Sequence, residues 1–425
     1  MKKQILASIF LVSLFSNSTF AATSALIGED SGSYSYVSVT ESIASTSEPE
    51  KVVEPFGPII DRHASPYVGA NAVITGFRGY QWLDDTFIPS SVGDTSSPLM
   101  LGRFAKVLFL DLPIANTGMI VQHEIFGHGF RARELGVKVQ KYKIRPFSGT
   151  TYLNATQYNN LSFSEQAAIS TGGMEASTIL ANQVRTRWID SEAIDSREAA
   201  LYLLTNTDQT FYVLENSHRD NTFANGHDVV EYVKKVNDWY QRPVTSSHQL
   251  KKRAWLDFFD PFLFYSAYSM GMYVTDGVQQ WEYPMLAIGE YRYLPAARMV
   301  LAPYGAEYQL NNFIKGPYTI FANLRYGNTG GRQSSGIGVE VVDFFKTDLL
   351  KLGAKVDLWN QPKLFTTNAS LNSTKFGAAA SVLARYRVLE KLDVVGQAGY
   401  KTSGYVQGEI LKHSPILRVG LSAYF

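Results

Sequence analysis

The chain of 425 residues contains no cysteine. That absence removes disulfides, thiolate metal sites, a cysteine nucleophile and a lipid-modified N-terminal cysteine, leaving His, Asp and Glu as the strong metal ligands. An excess of one charge is also lacking. The 39 basic and 38 acidic residues create no field that would draw nucleic acid, so no nucleic-acid partner is expected. Nor does an uninterrupted apolar run of transmembrane-helix length occur beyond the first residues. What the chain does have is aromatic side chains, with 25 Tyr and 25 Phe. Strands are therefore the expected means of meeting a membrane, because they need an apolar residue only at every second position.

The N-terminus carries Lys2 and Lys3, then an apolar stretch from Ile5 to Phe15, then small and polar residues to Ala21. This is the layout of a secretory signal peptide over 1–21, too short in its apolar part for a permanent span. Residues 22–62, rich in Ser, Thr, Glu and Gly, read as a flexible linker. Over 63–280 the period is helical. Ser162 and Glu165 form a capping-box pattern at the head of a helix through Ile169, Met174, Leu180 and Val184. Further helices are expected at about 196–214, 227–240 and 247–259, with a break at Pro261. The run from Ala70 to Phe77 reads instead as a strand.

From 281 to 425 the period becomes two. Tyr318, Ile320, Ala322, Leu324 and Tyr326 share one face, opposite Thr319, Asn323 and Arg325, with Phe321 as the exception. Leu350–Leu358, Phe376–Tyr386 and the ending Leu417, Val419, Leu421, Ala423, Phe425 repeat the alternation. Strands are also expected within 283–293 and 298–310. Short links near 345–347 and 389–390 alternate with longer ones at 328–335, 361–373 and 403–413, as turns and loops do in outer-membrane barrels. The ending resembles the C-terminal strand of bacterial outer-membrane proteins. That resemblance implies an antiparallel β-barrel of about eight strands, a location in the bacterial outer membrane and contact with its lipid. A soluble sheet with one wet face also alternates.

Two of the seven histidines lie in His123-Glu124-Ile125-Phe126-Gly127-His128, on an expected helix stopped by Gly136. Zinc peptidases commonly place two imidazoles on one helical face with a glutamate beside the first. Here the spacing is one residue longer than His-Glu-x-x-His. Positions five apart lie about 140° apart around an α-helix, so the imidazoles would diverge. A π-type turn of about 4.4 residues returns them to within roughly 50°, and Gly127 eases that distortion.

The motif resembles the His-Glu-x-x-x-His zinc site of the dipeptidyl peptidase III family, over six residues only. That family's second motif is missing from this chain. The resemblance implies zinc held by His123 and His128, with Glu124 as general base. Glu175, after Gly172 and Gly173 on the long helix, is the expected third ligand; His218 and His227 are the other candidates. The fold class expected is thus α+β, an α-rich zincin-like domain over 63–280 followed by the barrel. The function expected is a zinc metallopeptidase acting on a peptide or protein substrate. The alternative is a non-catalytic barrel protein with a structural or degenerate metal site and a binding role.

Overall fold

The computed structural model describes residues 57–88, 92–215, 227–366 and 373–423. The expected signal peptide, most of the linker, His218 and Phe425 lie outside the described residues.

Pro66–Phe87 is a helix, α1, with Pro66 in its first turn, where the missing N–H costs nothing. Its buried residues Ala70, Val73, Phe77, Gln81 and Asp84 recur every three or four positions. The strand expected at Ala70–Phe77 is therefore corrected: the helical period emerges only over a window longer than that run.

The second helix, α2, runs from Ser97 to Glu134 and contains two π turns, Val107–Asp111 and Glu124–His128. It is long and apolar enough to cross a membrane, with a mean hydropathy of 1.5 over an 18-residue stretch. Arg103, Lys106 and Asp111 interrupt its apolar run and conceal this in the sequence. It ends before Gly136, which adopts a φ of +73°.

Phe163–Ser191 forms α3, and the capping box is made as expected. The Ser162 hydroxyl accepts from the Glu165 backbone N–H, and the Glu165 carboxylate accepts from the Ser162 backbone N–H at 2.9 Å. Packed against α1, α2 and the sheet, this helix is buried on nearly every face. Its Ser170, Thr171 and Thr178 hydroxyls donate to carbonyls one turn earlier, which satisfies them without an outside partner.

Helices α4 (Ser196–Glu215), α5 (Asp228–Tyr240), α6 (Ser247–Ala254) and α7 (Pro261–Asp276) follow. A 3₁₀ turn, Trp255–Phe259, extends α6 up to the expected break. There Pro261 opens a new helix whose N-cap, Asp260, accepts the Phe262 N–H at 3.0 Å.

The fold is α+β. Short strands β1 (Ile59–Ile60), β2 (Val139–Arg145), β3 (Ser148–Leu153), β4 (Ala193–Asp195), β5 (Gln280–Glu282) and β6 (Leu286–Ile288) precede eight long ones. These are β7 (Tyr291–Ala302), β8 (Gly305–Lys315), β9 (Thr319–Thr329), β10 (Arg332–Lys346), β11 (Leu350–Pro362), β12 (Thr374–Leu389), β13 (Leu392–Lys401) and β14 (Ser414–Ala423). Strands β6 to β14 pair in sequence order, antiparallel throughout, and β1 adds to β14. Residues 59–60, at the end of the expected linker, thus belong to the sheet. The helices and the sheet form one unit.

Three details of the expected strand pattern are corrected. The segments 283–293 and 298–310 each contain a hairpin turn, since Ile288 pairs with Tyr291 and Ala302 with Gly305. The link at 328–335 is not a long loop but a tight turn, with Thr329 paired to Arg332. Gly330 and Gly331 make it possible with φ of +61° and +79°, the conformation that two-residue hairpins of this kind require.

Barrel closure is not observed either. The sheet has ten strands, and no ladder joins β1 to β6 among the described residues. Those edge strands are two and three residues long, and α1 lies against β1 while α7 lies against β7.

The sheet's polarity is inverted relative to a soluble protein. Leu324, Tyr326, Val356, Leu358, Val382, Leu417, Val419 and Leu421 face outward, 38–63% exposed. Glu307, Asn311, Arg325, Asp357, Asp393 and Lys401 face inward, at most 6% exposed. Helices meet this polar face: Lys355 donates to the Tyr67 hydroxyl of α1 at 2.6 Å, and Arg418 lies over the same ring.

A buried ion cluster ties α2 to α3. Arg131 donates to Glu175 at 2.9 and 2.5 Å, to Glu134 at 2.8 Å and to the Glu409 carbonyl at 3.0 Å. Glu175→Ala leaves the Arg131 charge undercompensated in the interior, a change that costs about 3–5 kcal/mol. The expected outcome is a lower midpoint of denaturant unfolding at unchanged slope, measured against the parent protein.

Candidate metal centre

The second π turn of α2 overcomes the divergence that five-residue spacing imposes. Across Glu124–His128 the extra residue per turn swings His128 back onto the face of His123. The two ring centroids lie 4.9 Å apart, and the two Nε2 atoms 3.2 Å apart. Close crossing of α3 makes room for this. Gly127 faces Gly172 and Gly173 with no space for a Cβ on either side, and a methyl built on Gly173 would overlap the His123 ring.

Each imidazole is oriented through its other nitrogen. The His128 Nδ1 donates to the Ile169 carbonyl at 2.7 Å, and the His123 Nδ1 pairs with the Asp208 carboxylate of α4 at 2.8 Å. A carbonyl can only accept, as can an ionised carboxylate, so each ring carries a proton on Nδ1 and directs its Nε2 to one point, as a lone pair where the ring is neutral. The ring of Tyr212 stacks on His123, with centroids 5.4 Å apart and planes 19° apart.

The third group at that point is Asp228, the first residue of α5. Its Oδ2 lies 3.3 Å from each Nε2. The three atoms make a nearly equilateral triangle with edges of 3.2, 3.3 and 3.3 Å. A tetrahedral ion with bonds of about 2.0–2.1 Å has ligand-to-ligand edges of about 3.3–3.4 Å, so the triangle matches one face of such a site. Three electron pairs brought this close would repel one another, so positive charge must lie among them, either as a metal ion or as protons on the imidazole Nε2 atoms. Burial acts to raise the Asp228 carboxyl, but His128 and His123 outweigh it and hold the group well below the usual carboxylate range. His123, His128 and Asp228 together could hold a metal ion.

Glu175, the third ligand expected from sequence, does not belong to this group. Its carboxylate is taken by Arg131 and by the Gly408 backbone N–H at 2.6 Å. The glycines before it do permit the close crossing, but one turn of register directs Glu175 toward Arg131 instead. His227 lies beside Tyr212, ring centroids 5.5 Å apart, and it is the adjacent Asp228 that reaches the imidazoles. Sequence reasoning passed over Asp228 because it searched for histidines and a helical glutamate. The available signal was a carboxylate at a helix N-terminus beside one of the few histidines.

Glu124 is buried on the same π turn, close enough for its charge to act on both imidazoles. The hairpin of β2 and β3 fixes it. The Thr151 hydroxyl donates to one carboxylate oxygen at 2.6 Å, and Gly149 passes against the Glu124 side chain without room for a Cβ.

Because Asp208 sets the His123 tautomer from outside the triangle, Asp208→Ala is expected to weaken metal affinity about 10–100-fold. Asp228→Ala removes a ligand and is expected to weaken it further, whereas Glu175→Ala leaves affinity within a few-fold. Competition against a chromophoric chelator measures all three.

Compared with protein-family models, with curated proteins and with solved structures, the chain matches none.

Proposed function

We propose that this protein is an exported zinc-dependent hydrolase of the bacterial outer membrane, and that it cleaves peptide bonds. The observation that carries this reading is the triangle of His123 Nε2, His128 Nε2 and Asp228 Oδ2, with edges of 3.2–3.3 Å, beside the buried carboxylate of Glu124. Two imidazoles and one carboxylate are a common catalytic donor set for zinc, which leaves one position for water or substrate. Zinc in such a site supplies Lewis acidity toward a substrate carbonyl and toward water.

The chain's own residues carry the proton. Glu124 follows the first ligand directly, and Thr151 holds one of its oxygens, which leaves the other to accept a proton from the attacking water. The same carboxyl then delivers that proton to the departing amine. The π turn keeps ligand and base on one rigid element, so the base is positioned by the same distortion that aligns the imidazoles.

The sheet supports the location. Apolar residues outside and charged residues inside are the arrangement of membrane barrels, and the signal-peptide pattern over 1–21 provides for export. In this reading outer-membrane lipid surrounds a barrel-type wall of the eight long strands, and the metal centre lies among the helices that the wall encloses.

The test combines metal analysis with one substitution. The purified native protein is expected to carry one zinc per chain and to cleave casein or a mixed-peptide library, and a chelator is expected to abolish cleavage. Glu124→Gln is expected to retain the zinc and to lose about 10²–10⁴ in rate, because the amide keeps the size but cannot take the proton. Iron in place of zinc would overturn the metal assignment, since two histidines and a carboxylate also suit non-haem iron. Equal rates for native and Glu124→Gln protein would overturn the assignment of the base.

A further inference from the structure

We propose that the gap in the sheet between β1 and β6 is closed by α1, α2 and α7, and that the outward faces of these helices contact lipid acyl chains as the strands do. The inference rests on the membrane reading above, and it goes beyond that reading by giving the wall a helical part.

Sheet edges cannot stand open in a bilayer, because unpaired backbone groups find no partner among acyl chains. Both edges here are joined to helices. On one side the Ile59 N–H of β1 donates to the Asn71 Oδ1 of α1 at 3.0 Å, and the Thr75 hydroxyl of α1 donates to the Gly57 carbonyl at 3.4 Å. On the other, the Tyr265 hydroxyl of α7 donates to the Pro284 carbonyl just before β6, at 3.1 Å. Helices satisfy their own backbone groups internally, so they can fill a gap between strands without creating new edges.

The three helices are linked to one another across the gap. Lys106 of α2 pairs with Asp84 of α1 at 3.0 Å. Arg103 of α2 donates to the Val274 and Thr275 carbonyls of α7 at 3.2 and 3.0 Å. These contacts dispose of the charges in the first half of α2. Arg103, Lys106 and Asp111 all turn inward, with Asp111 accepting from Tyr80 and from Lys106. Inward pairing of every charge on an apolar helix is what a lipid-facing segment requires.

The opposite faces are apolar and exposed. Leu101 is 67% exposed and Phe109 75% on α2, Phe264 66% on α7, and Trp82 63% on α1. The outward strand residue Leu417 is 63% exposed. No charged residue occurs in α7 before Asp276. A water-facing helix of a soluble protein would place its polar residues on this side. Here the apolar surface continues from the strands onto the helices, and acyl chains are the one occupant that fits both.

The cysteine-free chain permits single-site spin labelling without background. Leu417→Cys, Phe109→Cys and Phe264→Cys are labelled in the full-length protein, reconstituted in phosphatidylethanolamine–phosphatidylglycerol vesicles. Accessibility to oxygen and to a water-soluble nickel chelate is then measured at each site. The expected result is oxygen access and nickel exclusion at all three. Nickel exclusion at Leu417 with nickel access at Phe109 and Phe264 overturns the inference and leaves the membrane reading standing. Nickel access at all three overturns both. Exclusion of oxygen and nickel alike at Phe109 and Phe264 means that protein covers these faces, a second copy included, and also overturns the inference. Leu101→Cys and Tyr268→Cys replace either helix variant if it fails to insert.

Discussion

Close contact between α2 and α3 is the constraint on which the rest of the molecule depends. Gly127 lies against Gly172 and Gly173 where no side chain fits. At that separation the π turn can be accommodated, the Ile169 carbonyl comes within 2.7 Å of His128, and Arg131 reaches Glu175. A wider crossing would separate the imidazole from its orienting carbonyl and leave two buried charges apart. The small side chains along α3 are thus a condition for the metal centre and for the interior ion cluster together.

The inverted sheet belongs to the same arrangement. Its inward polar residues face helices and loops that offer hydroxyls, carboxylates and aromatic rings, while apolar surface is left outside. Arg418 shows this, paired with Glu409 at 3.0 Å and Asp61 at 3.3 Å while lying over Tyr67. In a soluble protein the hydrophobic effect places these residue types the other way round. The helices therefore meet a polar lining over much of the sheet, beside an apolar core in which Met299, Leu301 and Ala306 of β7 and β8 pack with Val213, Val236 and Trp239 of the helices.

How much was legible in the sequence depended on the range of the signal. The capping box at Ser162 and Glu165 and the need for a π turn at Gly127 are local, and both were readable from spacing alone. Strand alternation in 319–329 and 350–362 identified faces correctly, although which face is buried follows only from the inversion. Asp228 was not legible, because it joins His123 across 105 residues and no periodicity records such a meeting. Glu175 misled for a related reason: a glutamate on the right helix was visible, whereas its capture by Arg131 was not. Closure of the sheet on itself was expected because alternation and strand count are local information, whereas whether the first and last strands of a sheet meet is not.

The separation between His123 and Asp228 has a mechanical side. An ion shared between them closes a loop of 105 residues, a loop containing all of α3 and α4. Such a closure restricts the unfolded chain by an entropy that grows only slowly with loop length, so even a loop this long is fastened effectively. Disulfides supply this kind of restraint in many proteins, but a chain without cysteine cannot form them. The metal would then be a clasp as well as a reagent, and its fastening would answer to acidity and chelation, where a disulfide answers to reductants.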